Sequence, residues 1–138
     1  VLTGGDDGLV RVWDVRAEEA VQEMCATDAH SAVWAIATEG HIAASGCTNG
    51  LLQIWDLRAT RSCVVTGQAH SDAIAGLQFS PDTKTLVSSS FDSTVKLWDW
   101  PVDAASRGSG VGPGGSWDVE GLLRATLFTP QLSRCTRV

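Results

Sequence analysis

Three short stretches of the chain alternate apolar and polar residues in nearly the same words: "LVRVWD" at 9–14, "LLQIWD" at 51–56 and "TVKLWD" at 94–99. In each, the residues one and three before Trp are apolar (Val12 and Val10, Ile54 and Leu52, Leu97 and Val95), whereas the residue two before is polar (Arg11, Gln53, Lys96). A period of two sends alternate side chains to opposite faces, which predicts a β-strand with one buried face and one polar face. Ahead of each strand stands a turn signal, Asp7-Gly8, Asn49-Gly50 or Asp92-Ser93, and before it another short run, "VLTG", "IAASG" or "LVSSS". The pattern is a hairpin written three times. Farther upstream, "AVWAIA" (32–37) and "AIAGLQF" (73–79) predict a leading strand, and Pro81-Asp82 in "FSPDTKTL" predicts a tight turn. "AVQEMC" (20–25) and "SCVVTG" (62–67) predict a trailing strand.

The unit returns after about 42 residues, and four short strands in that span make the blade of a β-propeller. The expected fold is therefore all-β: a partial β-propeller of four-stranded antiparallel blades, an open ring with an irregular C-terminal tail. Its parts are a partial blade at 1–27 and blades at 28–67 and 68–100. Rings of this kind close with about four to eight blades, so open edges should leave the isolated chain marginal or self-associating. The chain begins on Val1, inside a repeat, and reads as part of a larger protein. After Trp100-Pro101 the alternation ends in "VDAASRGSGVGPGGS", so 101–138 reads as a Gly/Ser-rich linker and low-order tail, irregular over 101–121. Trp117-Asp118 falls out of period, whereas "LLRATLF" (122–128) is apolar enough to form a short outer strand or helix in place of the last blade's fourth strand. The abrupt change in character fits a truncated or alternatively ended product of a longer propeller gene.

Further motifs fall into register with the strands: "DAH" and "QAH" (28–30, 68–70), "FSPDT", and the three Trp-Asp pairs. On these the chain resembles the WD-repeat propellers over residues 1–100. It departs in having Ala before both histidines and Thr83 in place of a glycine. The resemblance implies a chain of hydrogen bonds through His70, Ser88, Asp92 and Trp98 in one blade. The blade before it would use His30, Ser45 and Trp55, with Asn49 where the carboxylate belongs, and the first would use Thr3, Asp7 and Trp13. Such a chain lets a buried indole, hydroxyl, imidazole and carboxylate satisfy one another. Asn49 accepts a proton donor but brings no charge, so its network should be the weaker.

Composition removes several function classes. Ten Lys and Arg against sixteen Asp and Glu give a net charge of −6, which offers no broad attraction to nucleic acid or anionic lipid. No apolar run approaches the roughly 18 residues that a membrane helix needs. Cys25, Cys47, Cys63 and Cys135 stand far apart and form neither a disulfide framework nor a zinc pair, which fits packed, reduced thiols in the cytoplasm or nucleus. Cys25, His30, His41 and Cys47 lie on different expected strands without ligand spacing, so no metal and no cofactor are expected. Ser, His and Asp are also hydrolase residues, but here they recur with a tryptophan and lack a G-x-S-x-G elbow, which leaves no catalytic residue. "TGGDDG" opens a hairpin rather than a phosphate-cradling helix.

The expected chemistry is recognition, carried by loops on a rigid frame. In "WDVR" and "WDLR" an arginine follows Trp-Asp by two, which singles out Asp14 with Arg16 and Asp56 with Arg58. The stretch "VLTGGDDGLVRVWDVR" resembles the box through which WD-repeat substrate receptors dock on the adaptor of cullin-RING ubiquitin ligases. The second copy departs at Cys47 and Asn49, and the third has Pro101 for Arg. Arginine's planar fork suits such docking, yet the same residue also serves as a solvated turn residue or caps a neighbouring acid. The leading expectation is a non-enzymatic scaffold for other proteins. A ubiquitin-ligase receptor, a histone or peptide reader and an accessory subunit of an enzyme complex stay open beside it. The terminal "TRV" resembles the end of a PDZ ligand on three residues alone, and "CTRV" is a poor prenylation box.

Overall fold

The computed structural model describes residues 1–17, 19–25, 31–58, 63–82, 84–99, 117–118 and 122–128. Their strands run β1 (Leu2–Gly4), β2 (Leu9–Trp13), β3 (Ala20–Cys25), β4 (Val33–Glu39), β5 (Ile42–Cys47), β6 (Leu51–Asp56), β7 (Cys63–Gln68), β8 (Ile74–Phe79), β9 (Thr85–Ser90), β10 (Thr94–Asp99), β11 (Trp117–Asp118) and β12 (Leu123–Phe128). They form three sheets in the orders β1-β2-β3, β11-β7-β6-β5-β4 and β12-β10-β9-β8. Among the described residues the fold is all-β, a partial β-propeller of three blade-like sheets.

The three central hairpins share one turn chemistry. An amide-to-carbonyl bond closes each loop, from Gly8 to Gly5, Gly50 to Cys47 and Ser93 to Ser90. The third loop residue is left-handed in every case, at φ 74° for Gly8, 82° for Gly50 and 68° for Ser93, which marks the three-residue hairpin loop with a bulge. The residue before it accepts a hydrogen bond from the amide two residues on: Leu9 to Asp7, Leu51 to Asn49, Thr94 to Asp92. That local bond explains why Asp or Asn recurs there.

The sheets stack face to face, and their cores lie between them. Val10 and Met24 of the first sheet meet Val33, Ala43, Cys47 and Trp55 of the second. The other face of the second sheet sends Ala44, Leu52, Ile54 and Val65 against Ile74, Phe79, Leu86 and Trp98 of the third. Burying an aliphatic side chain such as Leu52 or Ile54 contributes roughly 1.5–3 kcal/mol. Close approach also decides residue type at the junction: a Cβ on Gly46 would lie 2.6 Å from Ile74 Cγ2 and 2.8 Å from its Cβ.

The middle sheet corrects one expectation. Gln53, on the face expected to be polar and solvated, is fully buried, because the first sheet covers that face. Among the described residues its Oε1 and Nε2 have no hydrogen-bond partner. The repeat-equivalent cations are satisfied: Arg11 reaches Asp7 and Glu23, and Lys96 donates to the Ala69 carbonyl at 2.5 Å. Gln53→Met keeps the length and removes two stranded polar atoms, so it should stabilise the chain by about 1–2 kcal/mol in urea unfolding.

Two outer strands come from the tail. β12 pairs antiparallel with β10, Thr94 opposite Phe128 and Lys96 opposite Thr126, and occupies the fourth position of the third sheet. β11 pairs parallel with β7, Trp117 opposite Val65 and Asp118 opposite Thr66. This differs from the irregular course expected across 101–121 and from the purely antiparallel blade. The outer edge of β7 offers unpaired backbone groups that an extended dipeptide can meet without any hairpin of its own. Residues 101–116 and 119–121 lie outside the described residues.

Candidate functional site

His70, Ser88, Asp92 and Trp98 come together inside the third sheet. The Trp98 indole Nε1–H donates to Ser88 Oγ at 2.9 Å, and Ser88 Oγ lies 2.7 Å from His70 Nε2. His70 Nδ1 lies 2.9 Å from Asp92 Oδ2. Because an ionised Asp92 can only accept, Nδ1 carries the imidazole proton and Nε2 accepts the Ser88 hydroxyl, which orients the chain from indole to carboxylate. Asp92 is saturated: Oδ2 also accepts the Ser71 amide, and Oδ1 accepts both the amide and the hydroxyl of Thr94.

Burial lowers the His70 pKa, against the pull of Asp92 in the other direction. The contact is therefore a hydrogen bond from a neutral ring rather than an ion pair. Burial by itself would raise the Asp92 carboxyl, but hydrogen bonds from Thr94 and His70 prevail and hold it below its usual range.

The second and first sheets carry shorter versions. Trp55 Nε1–H donates to Ser45 Oγ at 3.0 Å, and both residues are buried; His30 lies outside the described residues. The Asn49 side chain serves its own turn through the Leu51 amide at 3.1 Å. Asn49→Asp keeps that bond with a stronger, charged acceptor, so its unfolding midpoint should stay level or rise; a clear fall would show that the position is not the counterpart of Asp92. In the first sheet Trp13 Nε1–H donates to Thr3 Oγ1 at 2.7 Å. Asp7 turns instead to Arg11 at 2.6 Å, and this hydrogen bond holds its carboxyl below the ordinary range.

The two W-D-x-R stretches differ. Asp14 and Asp56 each shape the turn by accepting the amide of the arginine two residues on, both at 2.9 Å. The Arg58 fork folds back on Asp56, with Nε 3.1 Å from Oδ1 and Nη2 2.9 Å from Oδ2. Asp56 is buried, and the Arg58 hydrogen bond lowers its pKa. Arg58 thus caps its neighbouring acid. The exposed Arg16 has a guanidinium with no such partner among the described residues.

Other features carry little chemistry. Cys47 and Cys63 are unpaired thiols, each pushed up to about 11 by burial, which suppresses the reactive thiolate; the side chains of Cys25 and Cys135 lie outside the described residues. Among the described residues no His, Cys, Asp and Glu cluster is placed to hold a metal. A cleft of about 240 Å³ on the third sheet is lined by Gly76, Leu77, Gln78, Phe79, Ser80, Pro81 and Val87, and no acid, base or thiol stands among them.

Residues 1–108 match the family described as the nucleolar protein 10-like N-terminal domain, a β-propeller. The chain belongs to this WD-repeat propeller family. Relatives of the WD-repeat chain include the anaphase-promoting complex subunit cdh1 of Dictyostelium discoideum, 31% identical over 102 residues. Another is the WD repeat-containing protein slp1 of Schizosaccharomyces pombe, 29% identical over 96 residues. Each alignment takes in 70% of this chain but only 13% and 19% of those relatives. A chain in the crystal structure of the mitotic checkpoint complex superposes with a TM-score of 0.65 at 28% identity, over 71% of this chain and 31% of that one.

The WD-repeat reading of the sequence missed Thr94. Its hydroxyl donates to Asp92 Oδ1 at 2.6 Å and lies 3.0 Å from His70 Nδ1. The available signal was comparative, since the equivalent residues Leu9 and Leu51 are apolar.

Proposed function

We propose that the chain is a non-enzymatic scaffold that binds other proteins through the loops and rim of a WD-repeat frame. The observation that carries this reading is the fate of the reactive residue types. His70 and Ser88 are buried, at 2% and 0% exposure, and every polar atom of theirs faces a structural partner. A triad needs its nucleophile open to a substrate. The relatives named above, an anaphase-promoting complex subunit among them, support a role in protein assemblies.

A second reading, a substrate receptor that docks on the adaptor of a cullin-RING ligase, is favoured by the contrast between the two arginines. Arg16 has a guanidinium without a partner among the described residues in the copy that fits the docking pattern throughout, whereas Arg58 is taken by Asp56. Pull-down with purified adaptor tests it: Arg16→Ala should abolish capture while Arg58→Ala retains it. No capture by the unaltered chain would remove the receptor reading and leave the scaffold. Hydrolysis of an ester or peptide that is lost in Ser88→Ala, with the fold intact, would overturn the scaffold. A histone or peptide reader would show itself by binding peptides with both arginines replaced.

A further inference from the structure

Trp34 breaks the repeat. The tryptophans at 13, 55 and 98 each donate an indole hydrogen bond to a strand hydroxyl, whereas Trp34 makes none among the described residues and is 50% exposed. It is the extra residue of a β-bulge, since β4 pairs Val33 with Cys47 and Ala35 with Gly46. Bulges re-aim a side chain and gather beside functional sites. The equivalent bulge in β8, between Ile74 and Gly76, holds Ala75, which is buried. The frame therefore accepts alanine at this position and does not require an indole.

Trp34 packs perpendicular to Phe91, with ring centroids 6.0 Å apart at 83°. Phe91 is also off the pattern, because Asp6 and Thr48 stand at its place in the other hairpin loops. Backbone bonds from Val33 to Gly5, Thr48 to Ala32, His70 to Gly50 and Phe91 to Ala73 tie these loops into one edge of the ring. That edge is acidic: Asp6 and Asp72 are exposed on it, beside Asp7 and Asp92. Two cations reach toward it, and both are engaged, Arg11 by Asp7 and Glu23 and Lys96 by the Ala69 carbonyl. A half-exposed indole on the same edge as the exposed Asp6 and Asp72, which have no ion-pair partner among the described residues, is matched to a cation, because the ring face attracts it and the carboxylates concentrate it.

We infer that this edge binds an extended basic protein segment and seats one of its arginine or lysine side chains over the Trp34 indole. The inference rests on the protein-binding reading and names a partner class for it.

The test is a fluorescence-anisotropy titration of the full chain with a labelled arginine-containing peptide and its glutamine-substituted counterpart. The arginine peptide should bind saturably, more weakly as salt rises, and at least several-fold tighter than the glutamine peptide. Trp34→Ala should lose about tenfold in affinity with unchanged circular dichroism, and Trp34→Phe should fall between. Asp6→Asn with Asp72→Asn should weaken binding and flatten its salt dependence, and this pair carries the test should Trp34→Ala fold poorly. Equal binding of the glutamine peptide, or full affinity in folded Trp34→Ala, would overturn the inference. Adaptor capture through Arg16, on the opposite edge at the far end of β2, would in that event leave the scaffold standing while this partner class fell.

Discussion

Gly50→Ala is expected to destabilise the chain by about 3–5 kcal/mol in urea unfolding. Gly50 sits at φ +82°, and a Cβ there would collide with the His70 carbonyl, 2.8 Å from its carbon and 2.9 Å from the Asp72 oxygen. Neither neighbour can yield, because both are backbone. The Gly50 carbonyl accepts the Ala69 and His70 amides, each at 3.1 Å, so this glycine holds the second hairpin loop against the entry to the third sheet. Gly40→Ala is the control: φ is +59°, but no atom lies within 4 Å of its Cβ. It should cost only the left-handed penalty of about 1–2 kcal/mol. Equal losses in the two variants would mean that backbone conformation alone, and not the docking of the loop, makes Gly50 necessary.

His70→Ala is expected to cost about 3 kcal/mol near neutral pH, because it strands the Ser88 hydroxyl and removes a donor from Asp92. Its pH profile should change as well. Burial places the folded-state pKa of His70 below the ordinary 6.5, so as pH falls the unfolded chain takes up its proton first. The stability is therefore complete above about pH 6.5 and declines below it, until the folded ring is protonated too. Asp92, also lowered, adds a loss of the same sign at more acidic pH. In His70→Ala the decline just below pH 6.5 should shrink relative to the parent. A variant that loses stability as steeply as the parent there would assign that titration to another group.

The strands and their hairpins were legible because each rests on local chemistry. The Asx bond and left-handed third residue of each loop depend on neighbouring residues only, so Asp7-Gly8, Asn49-Gly50 and Asp92-Ser93 declare their turns directly. Gln53 was misread because alternation reports that two faces differ, not what covers each of them. A strand between two other sheets has no solvated face, and its polar residue is buried with the rest. Trp34 was hidden for a related reason, since a bulge shifts the period by one and "AVWAIA" then reads as an unbroken strand. Within the site, His70, Ser88, Asp92 and Trp98 could be named from the resemblance to the WD-repeat propellers. The division of labour between Arg16 and Arg58 could not, because it turns on the side-chain fold of Arg58 onto a buried Asp56.

The outer strand of the third sheet sets an order of assembly. β8, β9 and β10 follow one another through short loops, so their pairings close over small sequence separations, whereas β12 must bring Thr126 back to Lys96 from far along the chain. Closing the longer loop costs more entropy, and contacts distant in sequence tend to form late. The β8–β9–β10 meander should then be present in the folding transition state before β12 docks, and in the native ensemble β12 should be among the first elements to detach. Each detachment bares the edge of β10 to any other strand within reach, so the lifetime of that one pairing governs how long the third sheet stays closed to its neighbours.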